Sequence, residues 1–358
     1  MLSRIGYVVN SFPKLSETFI AEEINELQSR GIQVKLLSLN RPSEEVQHSI
    51  ITGGRLQDLV VHNEREFAQW ADRHRPDLIH AHFATQPTEC ARRLSLELDV
   101  PYSFTAHGYD VYRKAPTDLA DRAISAMAVV TVSDANKSFL VEEYSIPGDH
   151  IHVIPCGINT EKFCPTDNRK DIAHIVCVAR LAPVKNLGML VEACRVLRDR
   201  NVDFRCSIVG EGRARESLTC QIEQHGLGNH VDLVGAKKQD EVVKYWQSAD
   251  VGVLCSLSEG MPVCLMEAAS CGVSVVAREV GGVSELVQQR VTGLTVASED
   301  TAAFANAIET LLKNDGLCAA MSRNARREAV ARFSVKKQVD SLLQIWETAA
   351  VTCEHGNS

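Results

Sequence analysis

The sequence predicts an α/β protein made of two doubly wound parallel-sheet domains that face a cleft. Three observations lead to this prediction. The chain has 358 residues, 45% of them hydrophobic. This length is greater than that of a typical domain with one hydrophobic core and suits two domains. Short apolar runs alternate with amphipathic helical stretches, as in repeated β–α–β units. The alternation stops near residue 155 and then restarts, so we expect a linker there.

The first half begins with a strand, IGYVVNS, and a helix, ETFIAEEINELQSRG. Four apolar residues of this helix share one face: Phe19, Ile20, Ile24 and Leu27. The next strand is VKLLSL. Residues 41–58 have no clear period, so we expect a loop there. The strands that follow, with helices between them, are DLIHAH, YSFTAH and AVVTVS.

The second half repeats the pattern after a linker rich in Pro, Gly, Asn and Asp, HVIPCGINTEKFCPTDNRKD. Its first helix is expected around Leu187 to Arg200, and the chain ends with an amphipathic helix, VKKQVDSLLQIWETAA. The strands of this half are AHIVCVAR, FRCSIVG, HVDLVG, VGVLCS, VSVVA and TGLTV. Ligands bind at the carboxyl ends of such strands, and the motifs described below all follow strands.

Composition excludes several classes of protein. The formal net charge is −8, and the first 152 residues carry 15 Lys and Arg against 21 Asp and Glu, which argues against nucleic acid as the main partner. No run reaches the roughly 18 to 20 apolar residues of a membrane span, and the N-terminus reads as a first strand rather than a signal peptide. Twelve cysteines without a C-x-x-C pair favour a reducing cytosol and offer no zinc spacing.

The strongest motif is EGMPVCLMEA, which follows the apolar strand VGVLC. A helix is expected from about Pro262 through Ser270, closed by Gly272. Its first N–H groups can bind an anion such as a diphosphate. Glu259 and Glu267 can then accept hydrogen bonds from sugar and ribose hydroxyls. The alternative is an acidic helix start that only complements the dipole.

A second motif, VARLAPVKN, puts Arg180 directly after a strand and Lys185 five residues later, with Asn186 as a possible helix cap. Two cations at this position can neutralise a diphosphate in place of a metal ion. The chain contains no Asp-x-Asp pair, the usual bridge between a metal and a diphosphate. A solvated loop with two ordinary cations is an equally common reason for such residues.

Four further motifs are weaker. His107 follows the strand YSFTA and can bind a substrate hydroxyl, although a structural role is as common; His80 and His82 are interpreted as wall or structural residues. Gly210, Glu211 and Gly212 lack the third glycine of a dinucleotide fingerprint. Gly281 and Gly282 are interpreted as a tight turn before Glu285. Ser16 is interpreted as a helix cap that also faces the cleft.

Together these motifs resemble the family-4 retaining glycosyltransferases of the GT-B fold, over nearly the whole chain. Glu259 and Glu267 have the family's spacing of seven intervening residues, and VIPCGINTEKF is similar to its linker. The other matching parts are Arg180 with Lys185, GEG, VGGVSE and RFSVKKQVDSLLQIWE. SFPKLSETFI, HAHFA and FTAHGYDVY resemble the exopolysaccharide and colanic-acid-type subgroup.

The resemblance implies two Rossmann-like domains, an acceptor-side domain over 1–153 and a nucleotide-sugar-binding domain over 154–332, with a C-terminal helix over 333–358 that crosses back to the first. It also implies roles for individual residues. Those expected to act in catalysis are His107, Arg180, Lys185 and Glu259. Those expected to bind the donor are Ser16, Gly210, Glu211, Ala236, Lys237, Gly260, Met261, Pro262, Val263 and Glu267.

Within these sets, the resemblance assigns Arg180 and Lys185 to the diphosphate and Glu259 to the sugar hydroxyls. Glu267 is assigned to the ribose, and Ala236 and Lys237 to the surroundings of the base. His107 is expected to line the sugar site.

The expected activity is transfer of a hexosyl group from a nucleotide-sugar, with UDP the expected nucleotide, to a hydroxyl of a saccharide, lipid-linked or small-molecule acceptor. Retention of configuration, no cofactor and no metal are expected. A cytoplasmic location, with peripheral contact to the inner membrane face, would suit a lipid-linked acceptor. The alternatives are a nucleotide-sugar epimerase, which needs no acceptor, an NAD-dependent oxidoreductase, and a non-catalytic nucleotide-sugar-binding protein.

Overall fold

The computed structural model describes residues 2–42, 49–52, 55–166 and 172–356. The chain divides into two compact units. The first consists of Met1–Gly157 together with Val335–Ser358, and the second of Ile158–Ser334. Each unit contains a parallel sheet with helices, so the predicted fold class of two Rossmann-like, doubly wound domains is confirmed.

The first unit has a seven-stranded sheet in the order β3-β2-β1-β4-β5-β6-β7. Its strands are β1 (Arg4–Ser11), β2 (Gln33–Asn40), β3 (Val60–Val61), β4 (Leu78–His82), β5 (Tyr102–Ala106), β6 (Ala128–Thr131) and β7 (Ile151–Val153). Its first seven helices are α1 (Thr18–Ser29), α2 (Ser49–Thr52), α3 (Glu64–His74), α4 (Gln86–Leu98), α5 (Gly108–Tyr112), α6 (Leu119–Ser125) and α7 (Asp134–Tyr144). Short 3-10 turns cover Arg55–Leu59 and Gly148–His150.

The second unit has a six-stranded sheet in the order β10-β9-β8-β11-β12-β13. Its strands are β8 (Ala173–Val178), β9 (Phe204–Val209), β10 (Val231–Gly235), β11 (Val251–Leu254), β12 (Ser274–Arg278) and β13 (Gly293–Val296). Its helices are α8 (Leu187–Asp199), α9 (Arg215–Gln224), α10 (Gln239–Gln247), α11 (Val263–Ser270), α12 (Val283–Leu286), α13 (Thr301–Lys313) and α14 (Asp315–Arg332). A 3-10 turn covers Pro183–Lys185, and the final helix, α15 (Val335–Gly356), belongs to the first unit.

Strand order determines where each sheet can bind a ligand. In the first sheet, β2 and β3 lie on one side of β1, and β4 and the later strands lie on the other side. In the second sheet, β9 and β10 lie on one side of β8, and β11 and the later strands lie on the other side. The strand order therefore switches between β1 and β4 and between β8 and β11. At such a switch point the loops that follow the two strands diverge to opposite faces of the sheet and leave a crevice at the carboxyl edge. In the second unit, β8 and β11 pair in parallel through Val251 with Ile175 and Gly252 with Val176.

Central strands of the first sheet are buried along their whole length, because helices cover both faces of the sheet. The five residues of β4 and of β5 are all buried. Helix α15 is attached to α1 within the first unit: Arg30 donates to the Asp340 carboxylate at 2.6 Å and to the carbonyl of Lys336 at 2.9 Å. Across the described residues, no helix is long and apolar enough to span a membrane.

Three local expectations are wrong. Residues 41–58 are not simply a loop, because Ser49–Thr52 is helical and Arg55–Leu59 is a 3-10 turn; 43–48 and 53–54 lie outside the described residues. Ser16 does not cap α1: the helix begins at Thr18, Glu17 occupies the N-cap position, and Ser16 is exposed. Asn186 occupies the N-cap position of α8, but in a left-handed conformation (φ 49°) in which its side chain makes no capping hydrogen bond.

Candidate functional site

The loops after β8 and β11 meet at the switch point of the second sheet. The Leu257 N–H donates to the Val184 carbonyl at 2.8 Å, and the Cys255 thiol donates to the Lys185 carbonyl at 3.2 Å. These contacts fix the end of one loop against the end of the other. The predicted residues Lys185 and Glu259 are therefore brought together although they are 74 positions apart in the chain.

Lys185 and Glu259 form an ion pair, with Lys185 Nζ 2.5 Å from Glu259 Oε1. Their side chains are only 16% and 11% exposed, so water screens the attraction weakly. Burial lowers the pKa of Lys185, but the Glu259 carboxylate and the Cys264 sulfur together outweigh this effect, and the pKa is raised above its ordinary value. Lys185 is therefore a cation at neutral pH.

Helix α11 begins beside this pair. The loop residues Gly260, Met261 and Pro262 are buried, and Pro262 occupies the N-cap position of the helix. The free N–H groups of the first turn are a ready binding site for an anion. Glu267, on the next turn, is buried, and its Oε2 accepts from the Trp246 indole N–H at 3.4 Å. The second carboxylate of the motif is thus held on the inner side of the helix.

Arg180 lies directly after β8 and is exposed. Within the part of the chain that the structure describes, its guanidinium forms no ion pair. It is close enough to Lys185 for its charge to lower the pKa of that lysine slightly, against the larger effect of Glu259. The site therefore combines one cation fixed in an ion pair with a second whose side chain is open to solvent.

The GEG segment supports the Arg180 loop through its backbone. Gly210 has φ +149°, and a Cβ there would lie 1.9 Å from the Ala179 carbonyl oxygen. The Leu181 N–H donates to the Glu211 carbonyl at 2.8 Å. The Glu211 side chain lies at the surface, where Arg215 Nη1 donates to it at 2.7 Å. These glycines thus allow two loops to approach closely, which explains a G-x-G pair without a dinucleotide fingerprint.

The remaining donor-site predictions fall at two other positions. Ala236 and Lys237 follow β10, at the opposite edge of the sheet from β13, and Lys237 Nζ lies 3.6 Å from the Glu241 carboxylate. Ser16 and His107 belong to the first unit. Their predicted roles toward the donor stay predictions, as do those of the residues in the second unit.

Cys264, the second residue of α11, is the other reactive group beside the pair. Burial raises the pKa of its thiol to about 12, an effect that the nearby Lys185 only partly opposes. The thiol is therefore protonated at neutral pH and is a poor nucleophile.

The VGG turn, which we expected to be a simple tight turn, also contacts the loop that carries Glu259. Gly281 has φ +51°, and a Cβ there would lie 1.9 Å from the Glu259 carbonyl oxygen. The next residue, Gly282, donates its N–H to the Gly260 carbonyl at 3.1 Å. The turn therefore packs directly against the backbone of the Glu259 loop.

A second polar cluster lies inside the first unit, and its carboxylate was not predicted. Glu23 on α1 is fully buried, and its Oε1 is 3.2 Å from His82 Nε2. His82 Nδ1 is 3.2 Å from His107 Nε2. The sequence did contain a signal: Glu23 is three residues after Ile20 and four after Phe19, so it lies on the apolar face of the helix.

The ligand atoms of Glu23, His80 and His82 lie within 4.8 Å of one another, a grouping that a metal ion can use. His80, however, already has partners at both nitrogens, Ser103 Oγ at 2.7 Å and Thr105 Oγ1 at 3.1 Å. Burial and the two neighbouring histidines lower the pKa of His80 well below its usual value. The ligand atoms of this grouping therefore already have hydrogen-bond partners within the protein.

The close approach of Gly281 to Glu259 leads to a prediction. Gly281→Ala should lower the free energy of unfolding by about 1 to 3 kcal/mol, because the residue is left-handed and the added methyl group meets backbone. Urea unfolding followed by circular dichroism measures this. Gly316→Ala is the control, because its Cβ would meet only Asn314 at 3.7 Å; an equal loss in both variants would contradict the packing described.

Comparison with known proteins assigns the family. The family model described as Glycosyltransferase Family 4 matches residues 16–162. A second family model, described as Glycosyl transferases group 1, matches residues 159–328. The chain is 33% identical over 214 residues to the amylovoran biosynthesis glycosyltransferase AmsK of Erwinia amylovora, which covers 57% of this chain and 52% of AmsK. The chain therefore spans about half the length of that relative.

Two further proteins match over nearly full length. The putative colanic acid biosynthesis glycosyltransferase WcaL of Escherichia coli K12 is 25% identical, covering 95% of this chain and 99% of WcaL. The crystal structure of Anabaena Alr3699/HepE in complex with UDP-glucose has a TM-score of 0.78 at 18% identity, covering 98% and 99%. The last likeness shows the fold, GT-B. Since the two family models together extend from residue 16 to residue 328, the chain belongs to the family-4, group-1 glycosyltransferases.

Proposed function

We propose that the protein transfers a hexosyl group from a UDP-sugar to a hydroxyl of a saccharide or lipid-linked acceptor, with retention of configuration and without a metal ion. The observation that carries the proposal is the Lys185–Glu259 ion pair beside the start of α11, at the switch point of the second sheet. The likeness to HepE, whose structure contains UDP-glucose, supports UDP as the nucleotide. The names of AmsK and WcaL support a polysaccharide pathway.

The charges at the site suit a diphosphate. Lys185 is a cation held within 2.5 Å of Glu259, Arg180 adds a second positive charge, and the N–H groups at the start of α11 supply hydrogen bonds. As the sugar leaves, negative charge grows on the diphosphate oxygen. Donors already fixed around that oxygen stabilise it without reorganisation.

The carboxylates suit the sugar and the ribose. When a diphosphate approaches Lys185, the ammonium group can interact with it while Glu259 accepts hydrogen bonds from sugar hydroxyls. Glu267 would accept from the ribose, and Ala236 with Lys237 would lie near the base. Gly210 and Glu211 would act through the backbone that supports Arg180, and the donor roles of Ser16 and His107 stay predictions.

The transfer needs no residue that forms a covalent bond to the sugar. The acceptor hydroxyl attacks the anomeric carbon on the face from which the diphosphate leaves. The bond between that carbon and the diphosphate oxygen breaks, and the acceptor proton passes to the departing phosphate. The absence of an Asp-x-Asp pair in the sequence supports a site in which Arg180 and Lys185 replace a metal.

Donor identity gives the first prediction of this proposal. UDP-sugars should raise the melting temperature more than GDP- or ADP-sugars do, because a ligand that binds only the folded state stabilises it. A thermal-shift screen of the three classes with EDTA present measures this. A larger shift with another nucleotide would contradict the UDP assignment, and a shift that EDTA abolishes would contradict metal independence.

The roles of Lys185 and Glu259 give the second prediction. Lys185→Ala and Glu259→Ala should each reduce sugar transfer about 10²- to 10³-fold, since each removes a group that acts on the reacting donor. Arg200→Ala is a matched control, because Arg200 forms a 2.7 Å ion pair with Glu309 elsewhere in the second unit. It should keep wild-type activity.

The same assay tests the reaction course. Proton NMR of the product should show the anomeric configuration of the donor, whereas inversion would contradict same-face attack. Near-full transfer by either site variant, with circular dichroism unchanged, would contradict the assigned roles. Epimerised donor formed without any acceptor would instead point to an epimerase.

A further inference from the structure

Arg278, the last residue of β12, is a buried cation beside the loop that carries Glu259. Its side chain is only 8% exposed. Nη1 donates to the Ser256 carbonyl at 3.2 Å, and Nη2 lies 3.4 Å from the Glu299 carboxylate. The Glu299 side chain is 67% exposed, so water weakens this attraction. A buried charge with such a partner lowers the stability of the fold.

Arg122, in the first unit, shows how the same chain satisfies an arginine that is equally buried. Its Nη1 donates to the carbonyls of Ala84 and Thr85 at 3.2 and 2.6 Å, and Nε and Nη2 lie 2.9 and 2.8 Å from the Asp118 carboxylate. In Arg278, by contrast, Nε has no hydrogen-bond partner among the described residues. Stability alone therefore does not explain a cation at position 278.

The residue that Arg278 contacts, Ser256, lies between the two residues that join the loops of the site. On one side of it, the Cys255 thiol donates to the Lys185 carbonyl at 3.2 Å. On the other side, the Leu257 N–H donates to the Val184 carbonyl at 2.8 Å. The hydrogen bond from Arg278 fixes the peptide group between these two contacts, so it helps to keep both of them in place.

The segment that begins with Arg278 contacts the Glu259 loop a second time. Gly281 packs against the Glu259 carbonyl, and the Gly282 N–H donates to the Gly260 carbonyl at 3.1 Å. Residues 278–282 thus hold the loop on both sides of the Glu259 side chain. The second contact is made by backbone, whereas the first is made by a side chain that a single substitution removes.

We propose that Arg278 is a positioning residue of the donor site, which fixes Ser256 and thereby holds the Glu259 loop beside Lys185. The inference rests on the proposed function, in which Lys185 and Glu259 act on the diphosphate and the sugar. Replacing a buried, weakly paired charge by an apolar side chain of similar size is often neutral or stabilising. Removal of this cation should therefore reduce transfer without a matching loss of stability.

The first test measures amide hydrogen exchange by mass spectrometry on the full chain without ligand. In Arg278→Met, the peptide that contains Leu257 should exchange about tenfold faster than in the wild type, because a hydrogen bond from a charged group no longer fixes its neighbour. Arg198→Met is the matched control: Arg198 also donates to a carbonyl, that of His225, and pairs with the Asp199 carboxylate at 2.6 Å, elsewhere in the second unit. It should leave that peptide unchanged.

The second test compares transfer with thermal stability. Arg278→Met should lower kcat for sugar transfer by about tenfold or more, with a smaller change in KM for the donor, since the displaced groups stabilise charge that grows as the sugar leaves. Its Tm should stay within about 4 °C of the wild-type value or rise. Glu299→Ala removes the other partner of the guanidinium and leaves the Ser256 contact, so kcat should stay within about threefold.

The outcomes separate the two proposals. Unchanged exchange at Leu257 in Arg278→Met, or an equal loss of transfer in Arg198→Met or Glu299→Ala, would overturn the positioning role. A fall in Tm of more than about 10 °C, or failure of Arg278→Met to fold, would make Arg278 a structural residue and overturn it too. If the wild-type protein transfers sugar from no donor, the proposed function fails, while the exchange measurement still decides whether Arg278 fixes the loop.

Discussion

The ion pair between Lys185 and Glu259 is the interaction on which the account of the second unit depends. Two charges with little exposure to water are costly unless each has a partner, and here each partner comes from a loop after a different central strand. The Leu257–Val184 and Cys255–Lys185 hydrogen bonds hold those loops together. The second unit therefore already contains, in Lys185, a cation that can bind a diphosphate.

The backbone around the pair is shaped by close contacts that only glycine permits. Gly281 lies against the Glu259 carbonyl and Gly210 against the Ala179 carbonyl, each where a Cβ would fall within 1.9 Å. From the sequence alone, Gly281 was interpreted only as part of a tight turn and Gly210 only as part of an incomplete dinucleotide fingerprint. Their physical role is to let neighbouring loops at the carboxyl edge approach, which fixes the acidic loop on one side and the basic loop on the other.

Much of the fold could be predicted, because parallel strands covered on both faces are mostly apolar and the helices between them are amphipathic. The spacing of Glu259 and Glu267 and the position of Lys185 after a strand were also visible. The sequence showed only that Glu23 shares a helix face with Phe19 and Ile20; its hydrogen-bond partners could not be predicted, since residues such as Gln338 are distant in sequence. Capping was misjudged at Ser16 and Asn186 because backbone conformation, which propensity does not specify, decides whether a side chain can reach an N–H.

The most direct measurement of the central claim is a crystal structure of the protein with UDP, grown in the presence of EDTA. The account predicts the diphosphate within hydrogen-bonding distance of Lys185 Nζ and of the N–H groups at the start of α11, with no metal ion between them. A diphosphate bound away from Lys185, or UDP that binds only when a divalent metal is restored, would contradict it.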